Sequence, residues 1–215
     1  KLYMGSYSLE QLAKEYSTPL YIYDEAHMRE KIKKYVDNFK SDKYKCMVVY
    51  ATKAFLAPYL ANILKEYGVY ADAVSGGDLY LLEKAGCPMD MVVLHGNNKS
   101  KEELLMAIEK GVGYFVADNK EELESINRIA GEKNVKQQVL LRITPGIDPH
   151  THKAVVTGSV DSKFGSAIET GQALEIVKLA LSLPNVDLKG LHCHIGSQIF
   201  DPQPFVDASK IMCSF

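Results

Sequence analysis

The chain has no block of lysines and arginines, no apolar run long enough to cross a membrane as a helix, and no signal-peptide pattern at its start. Its 25 basic and 27 acidic side chains nearly cancel over 215 residues, leaving a formal net charge of −2. Without a basic face there is no electrostatic reason to expect a nucleic-acid partner. Without an apolar span there is no reason to expect a membrane. Cys46, Cys87, Cys193 and Cys213 share no close paired spacing. That argues against a disulfide framework and against a zinc site, and makes a reducing cytoplasm the default expectation. Cys46 and Cys193 read as buried strand residues.

What is present is ordinary globular usage, 47% hydrophobic and 24% charged, enough to bury a large core. Short apolar, β-branched runs alternate with helical patterns. The expected strands are Met47–Lys53, Gly68–Ser75, Met91–Gly96, Gly113–Asp118, Val139–Ile143 and Leu188–Ile195. The expected helices between them are Ala57–Tyr67, Asp78–Ala85, Ser100–Lys110, Lys120–Ala130 and Ala173–Leu183, with Pro204–Met212 opening one more. Alternating βα units with short connections predict an α/β fold of the (β/α)8 TIM-barrel type. Six strands do not close such a barrel, so the pattern reads as a barrel truncated after about the sixth strand. Residues 1–24 read as a lead-in partly associated with a second domain, and 25–215 as the incomplete barrel. Within the lead region, Leu9–Glu15 reads as a short helix, Pro19–Tyr23 as extended and Glu25–Phe39 as a charged helix.

Candidate chemistry gathers where strands end, the working end of a parallel barrel. Lys53 closes the first strand, and an amine beside apolar walls is disfavoured as the cation and becomes a usable nucleophile toward an aldehyde. The bland alternative is a lysine that has reached solvent. Asp72 and Arg142 lie inside apolar strands and demand partners, either each other or a third group. His192 and His194 share one side of a strand by alternation. No further ligand at useful spacing makes them a metal pair. Gly196-Ser197, just after that strand, suits a phosphate, because glycine lets the backbone approach closely. Ser75-Gly76-Gly77 reads equally well as a turn or as a second such site. His95-Gly96-Asn97-Asn98-Lys99-Ser100 ends the third strand, and Ser100 with Glu103 forms a capping box for the helix that follows. His150 and His152 sit in a loop too long for a plain connection.

Read together, these segments resemble the diaminopimelate decarboxylase family, within the alanine-racemase-like, fold-type III class of pyridoxal-phosphate enzymes. The residues that carry the resemblance are Tyr50-Ala51-Thr52-Lys53-Ala54, Asp72 through Gly77, His95 through Ser100 and Arg142-Ile143-Thr144-Pro145-Gly146. Asp148-Pro149-His150-Thr151-His152, Thr157-Gly158, Ser162-Lys163-Phe164-Gly165 and Gly190 through Gln198 follow in the expected order. The Tyr-Ala-x-Lys and His-x-Gly-Ser segments are similar across the wider class. The His-Gly-Asn-Asn-Lys-Ser and Asp-Pro-His-Thr-His stretches are narrower, and favour diaminopimelate over ornithine or arginine.

The resemblance implies a pyridoxal 5'-phosphate-dependent carboxy-lyase that converts meso-2,6-diaminopimelate to L-lysine and CO2, the last step of lysine biosynthesis. It implies that Lys53 is the Schiff-base lysine, that His194 stacks on the pyridine ring and that Ser197 binds the phosphate with Gly196 allowing the approach. Arg142 would lie beside the ring's phenolic oxygen, and Asp72 close to Lys53 and the phosphate end. Ser162 through Gly165 would line the barrel mouth, and no role comes onto His192. The family's acidic partner for the pyridinium nitrogen, its Gly-rich phosphate loop, its partner-subunit cysteine and its C-terminal β domain would all lie beyond residue 215. The expectation is therefore a cytoplasmic homodimer with shared active sites, of which this stretch alone is inactive. The rival readings are another basic amino-acid decarboxylase or racemase of the same class, a non-catalytic pyridoxal-phosphate-binding barrel, and a cofactor-free aldolase.

Overall fold

A computed structural model describes residues 1–147 and 164–215. Asp148, His150, His152, Thr157, Gly158, Ser162 and Lys163 lie outside the described residues.

The chain opens with an antiparallel pair, β1 (Tyr3–Met4) and β2 (Tyr7–Ser8), turning at Gly5. Sequence patterning does not show it, since two-residue strands have no periodicity to read. Helices α1 (Leu9–Tyr16) and α2 (Glu25–Asn38) follow. Asp24 caps α2 by accepting from the His27 amide. Met28, Ile32 and Val36 recur every four residues along α2 and so form one apolar stripe.

Every expected βα unit is present. The order runs β3 (Val49–Ala51), α3 (Pro58–Glu66), β4 (Tyr70–Ala73), α4 (Gly76–Lys84), β5 (Val92–Leu94), α5 (Lys101–Glu109), β6 (Tyr114–Ala117), α6 (Lys120–Glu132) and β7 (Gln137–Thr144). Then come β8 (Ser166–Ala167), α7 (Gln172–Ser182), β9 (Val186–His192) and α8 (Gln203–Ser214). Among the described residues, β3 through β9 make one parallel sheet of seven, ordered β3-β4-β5-β6-β7, with β8 and β9 both pairing with β7. Short β8 escapes sequence patterning for the same reason as the first hairpin.

Alternation divides the sheet into two faces. Ala71, Ala73, Val92, Leu94, Phe115, Ala117, Val139 and Leu141 face the helices, where they meet Leu79, Leu82, Leu104, Leu123, Ile126 and Ile176. Each such leucine or isoleucine, taken fully out of water, contributes roughly 1.5–3 kcal/mol. A second cluster joins α3, through Leu60, Ile63 and Leu64, to the stripe of α2 and to Val48 and Tyr50. The intervening residues, Asp72 among them, are left on the opposite face.

Ser75 caps α4, accepting from the Asp78 amide. The Ser75-Gly76-Gly77 segment is thus a helix start, two residues earlier than the sequence pattern placed it. The capping box between Ser100 and Glu103 is present. Glu103 spends its other oxygen on the Gly76 amide at 2.9 Å, so one side chain serves two helix N-termini. Cys46 precedes β3 and Cys193 follows β9, both half-buried rather than inside the strand core.

Candidate active site

After Ala51 the chain turns through a short 3-10 segment, Thr52–Ala54. Thr52 takes the interior position, and its hydroxyl donates to the Asp72 carbonyl at 2.8 Å. Lys53 is rotated outward and its side chain is exposed. The apolar walls expected around this amine are therefore not what this strand end provides. Ala51 pairs with Asp72, and the charge of Lys53, two residues beyond the strand, acts on His194.

Asp72 pairs with Val93, which places His95 on the same face as Asp72. The Asp72 Oδ2 and His95 Nδ1 lie 3.3 Å apart. The partner of Asp72 is thus a histidine and not Arg142. Arg142 takes a third-party carboxylate instead. Val116 pairs with Leu140, so Asp118 and Arg142 stand side by side, Nη1 to Oδ1 at 3.4 Å. Both are buried, Asp118 at 4% and Arg142 at 6% exposure. Burial pushes the Arg142 guanidinium down in proton affinity, and Asp118 works against that. The face of the guanidinium lies 4.3 Å from the Phe164 ring centre.

The histidines of β9 reach this face through a bulge. Leu188 pairs with Val139 and packs toward the helices. Plain alternation would send Gly190, His192 and His194 the same way. The register instead shifts between Val139 and Leu140, so that Leu140 pairs with Gly190 and Lys189 is the extra residue. Leu191 returns to the core, and His192 pairs with Arg142 on the opposite face. The sequence reading put His192 and His194 on one side of a strand without saying which; the strand ends at His192, and His194 lies two residues beyond it.

His192 meets His95 edge-on, ring centres 4.5 Å apart at 75°. Strands β6 and β7 stand between their parent strands, so this contact shows how strongly the sheet curves here. Burial pushes His192 down to about 3 and His194 down to about 4. For His194 the next cause is the positive charge of Lys53. Both imidazoles are therefore neutral near pH 7. Beyond them Gly196 has φ 148° and Gln198 φ 57°, with Ser197 exposed between. The first value is open to glycine and costly for other residues.

Under the same strand ends lies Lys99, with its side chain 2% exposed. Its ammonium donates to the Gly96 carbonyl at 2.6 Å, the Val116 carbonyl at 2.8 Å and Glu122 at 2.5 Å. Burial pushes the Glu122 carboxyl up, and Lys99 pulls it back.

The structure thus gathers Lys53, Asp72, Arg142 and His194 at one end of the sheet, with the Gly196-Ser197 turn following His194 directly. It adds His95, His192 and Asp118, to which sequence reasoning gave no role in the chemistry. Asp118 carried the signal that singled out Asp72, an acid ending an apolar run. Three buried polar atoms, Asp72 Oδ1, His95 Nε2 and His192 Nδ1, have no hydrogen-bond partner among the described residues. Orphaned buried groups of this kind are rare and call for an explanation, a functional role among them. With an exposed amine, a flat neutral imidazole and a glycine turn beside them, the residues fit an aromatic aldehyde that carries a phosphate.

Comparison with known proteins gives a consistent picture. The family model described as pyridoxal-dependent decarboxylase, pyridoxal binding domain, matches residues 25–215. The diaminopimelate decarboxylase of Bacillus methanolicus is 46% identical over 209 residues, which are 97% of this chain and 48% of that protein. Among solved structures, a diaminopimelate decarboxylase from M. jannaschii in co-complex with L-lysine superposes with a TM-score of 0.91 at 35% identity, over 99% of this chain and 50% of the other. A lysine/ornithine decarboxylase from Vibrio vulnificus, complexed with putrescine, gives a TM-score of 0.74 at 24% identity over 95% of this chain and 49% of the other, a likeness of fold alone. The chain spans about half the length of the curated relatives it matches.

Proposed function

The chain belongs to the pyridoxal-dependent decarboxylases, as their pyridoxal binding domain, and on that premise we propose that the whole protein removes CO2 from meso-2,6-diaminopimelate to leave L-lysine, with pyridoxal 5'-phosphate held on Lys53. Residues 25–215 are the cofactor-binding unit in this reading, and 1–24 a lead-in to the remainder. The observation that carries it is the gathering of Lys53, Asp72, Arg142 and His194 at one end of the sheet, beside three polar atoms with no hydrogen-bond partner among the described residues.

When bound, pyridoxal phosphate supplies an electron sink for the charge left on carbon as CO2 departs. This chain's residues bind and orient. Lys53 Nζ is exposed and available to an aldehyde. His194, neutral, offers a flat face that costs little to bury. The Gly196 backbone and Ser197 hydroxyl take the phosphate. Arg142, fixed by Asp118 and Phe164, presents a positive charge that does not titrate. Asp72 Oδ1 remains an acceptor, since its other oxygen is engaged by His95.

Diaminopimelate is preferred to ornithine or arginine because the relatives at 46% and 35% identity are diaminopimelate decarboxylases, whereas the lysine/ornithine enzyme shares only the fold. A cytoplasmic homodimer with shared sites belongs to the same proposal. The test is borohydride reduction of the full-length protein with pyridoxal phosphate, followed by peptide mapping and a CO2-release assay on meso-diaminopimelate, ornithine and arginine. Label on Lys53 with release from meso-diaminopimelate is expected. Label elsewhere overturns the cofactor site, and release from ornithine or arginine alone overturns the substrate.

A further inference from the structure

Lys53 carries the chemistry proposed above, yet its side chain is exposed and makes no hydrogen bond among the described residues. A lysine side chain is a flexible four-carbon stem. Where its amine can reach is therefore set by the backbone it stands on. That backbone is the connection from β3 to α3, residues 52–57. The connections from β4 to α4 and from β6 to α6 are shorter, 74–75 and 118–119, and have little length in which to wander. The Lys53 connection is longer and is tied down by side chains instead.

The ties lie on both sides of Lys53. Before it, Thr52 is 2% exposed and its hydroxyl donates to the Asp72 carbonyl of β4 at 2.8 Å. After it, the Phe55 carbonyl accepts from the Tyr50 hydroxyl at 2.9 Å, a bond that closes over the residues bearing Lys53. The Tyr50 ring is itself anchored, since it packs with Phe55 against Leu60, Ile63 and Leu64. Tyr23 stacks on the Phe55 ring, centres 4.0 Å apart at 16°. Burial raises the Tyr50 phenol, so it stays protonated and remains a donor. Strand β3 meets β4 through the backbone of Val49, Tyr50 and Ala51, and α3 packs through its aliphatic side chains. Neither element calls on the two hydroxyls. What the hydroxyls fix is the segment between, the one that bears Lys53.

We propose that Tyr50 and Thr52 are positioning residues that clasp the Lys53 turn from both sides, so that its amine meets the aldehyde of pyridoxal phosphate at a fixed place, a role that rests on the pyridoxal reading of Lys53. In the covalent step the amine nitrogen gains a double bond to the aldehyde carbon, and the aldehyde oxygen leaves as water with two hydrogens from the amine. A held turn favours that bond because less freedom is lost in forming it. It adds nothing to the non-covalent grip on ring and phosphate.

Pyridoxine 5'-phosphate separates the two contributions. It has the same ring and phosphate with an alcohol in place of the aldehyde, so it cannot bond to Lys53. Affinities for both molecules, and Tm, are measured on the cofactor-free full-length protein as wild type, Tyr50→Phe, Thr52→Val and Thr52→Ser. Tyr50→Phe and Thr52→Val each remove a hydroxyl and keep the bulk. Each is expected to lose about tenfold in pyridoxal phosphate affinity and to keep the wild-type affinity for pyridoxine phosphate. Thr52→Ser retains the hydroxyl and should keep both. Equal losses for the two molecules would mean a general loosening of the pocket and would overturn the clasp. So would wild-type pyridoxal phosphate affinity in both Tyr50→Phe and Thr52→Val. Thr52→Val carries the test alone if Tyr50→Phe does not fold. A wild type that binds pyridoxal phosphate no more tightly than pyridoxine phosphate has no covalent bond to position, which removes the pyridoxal reading itself and the clasp with it.

Discussion

Lys99 reaches Glu122 at 2.5 Å beneath the ends of β5 and β6, and that ion pair is almost wholly out of water. The same ammonium ties down a carbonyl from each strand end, Gly96 and Val116. It is the strut under His95. Breaking a buried pair from one side leaves an uncompensated charge, whereas removing both charges together is far cheaper. Lys99→Met is therefore expected to cost about 3–5 kcal/mol in urea denaturation. Lys99→Met with Glu122→Leu should recover much of that loss.

Asp118 and Arg142 make the same comparison with the surface. Asp118→Ala strands a buried guanidinium and should cost about 3 kcal/mol or more. The exposed pair Arg128–Glu132 is shorter, 2.8 Å, yet Arg128→Ala should change stability by only about 0.5 kcal/mol. Denaturant midpoints for the two variants check the contrast, in which burial outweighs distance.

Gly165 holds φ +68°, and a Cβ added there would sit 2.9 Å from the Arg142 carbonyl oxygen. Gly171 holds φ +80° with nothing within 4 Å. Gly171→Ala bears only the left-handed backbone penalty, about 1–2 kcal/mol. Gly165→Ala bears that and must also displace Arg142. It should be the more destabilising of the two by Tm, and should weaken pyridoxal phosphate binding as well.

Acid should loosen the site before it titrates the carboxylates. His192 and His194 fall from about 6.5 to about 3 and about 4 on folding. Between those values and 6.5 the unfolded chain binds more protons than the folded one, so stability falls as pH drops. The loss is expected to begin near pH 6.5 and to continue to about pH 4 for His194 and about pH 3 for His192. His192→Asn should make Tm less steep across that window, which a series of melts at fixed ionic strength reads directly.

The sequence revealed the βα alternation because each strand and helix carries enough residues to show a period. Tyr3–Met4 and Ser166–Ala167 do not, and were missed. Lys53, Asp72, Arg142 and His194 were legible as polar groups at the ends of apolar runs, and the motifs around them led to the family. Their partners were not. That Asp72 takes His95 while Arg142 takes Asp118 depends on how neighbouring strands align and how far the sheet curls, both of which are tertiary facts. The exposure of Lys53 depends on a three-residue turn that hands the interior to Thr52. Glu122 and Lys99 look like ordinary charges near helix starts, and only packing reveals them as interior.

The extra residue at Lys189 makes β9 two half-strands that answer to different constraints. Up to Leu188 its apolar positions face the helices, and from Leu191 onward they keep facing them, although the count between is odd. In a saturation scan, tolerance along this strand should therefore change phase in mid-course. Swaps among aliphatics should pass at 188 and 191, and polar identity should matter at 192 and 194. Removing Lys189 alone would join the two halves in plain one-to-one register, with Leu188 and Leu191 still toward the helices and His192 still opposite Arg142, so this is the one place along the strand where losing a residue leaves the phase of its side chains intact.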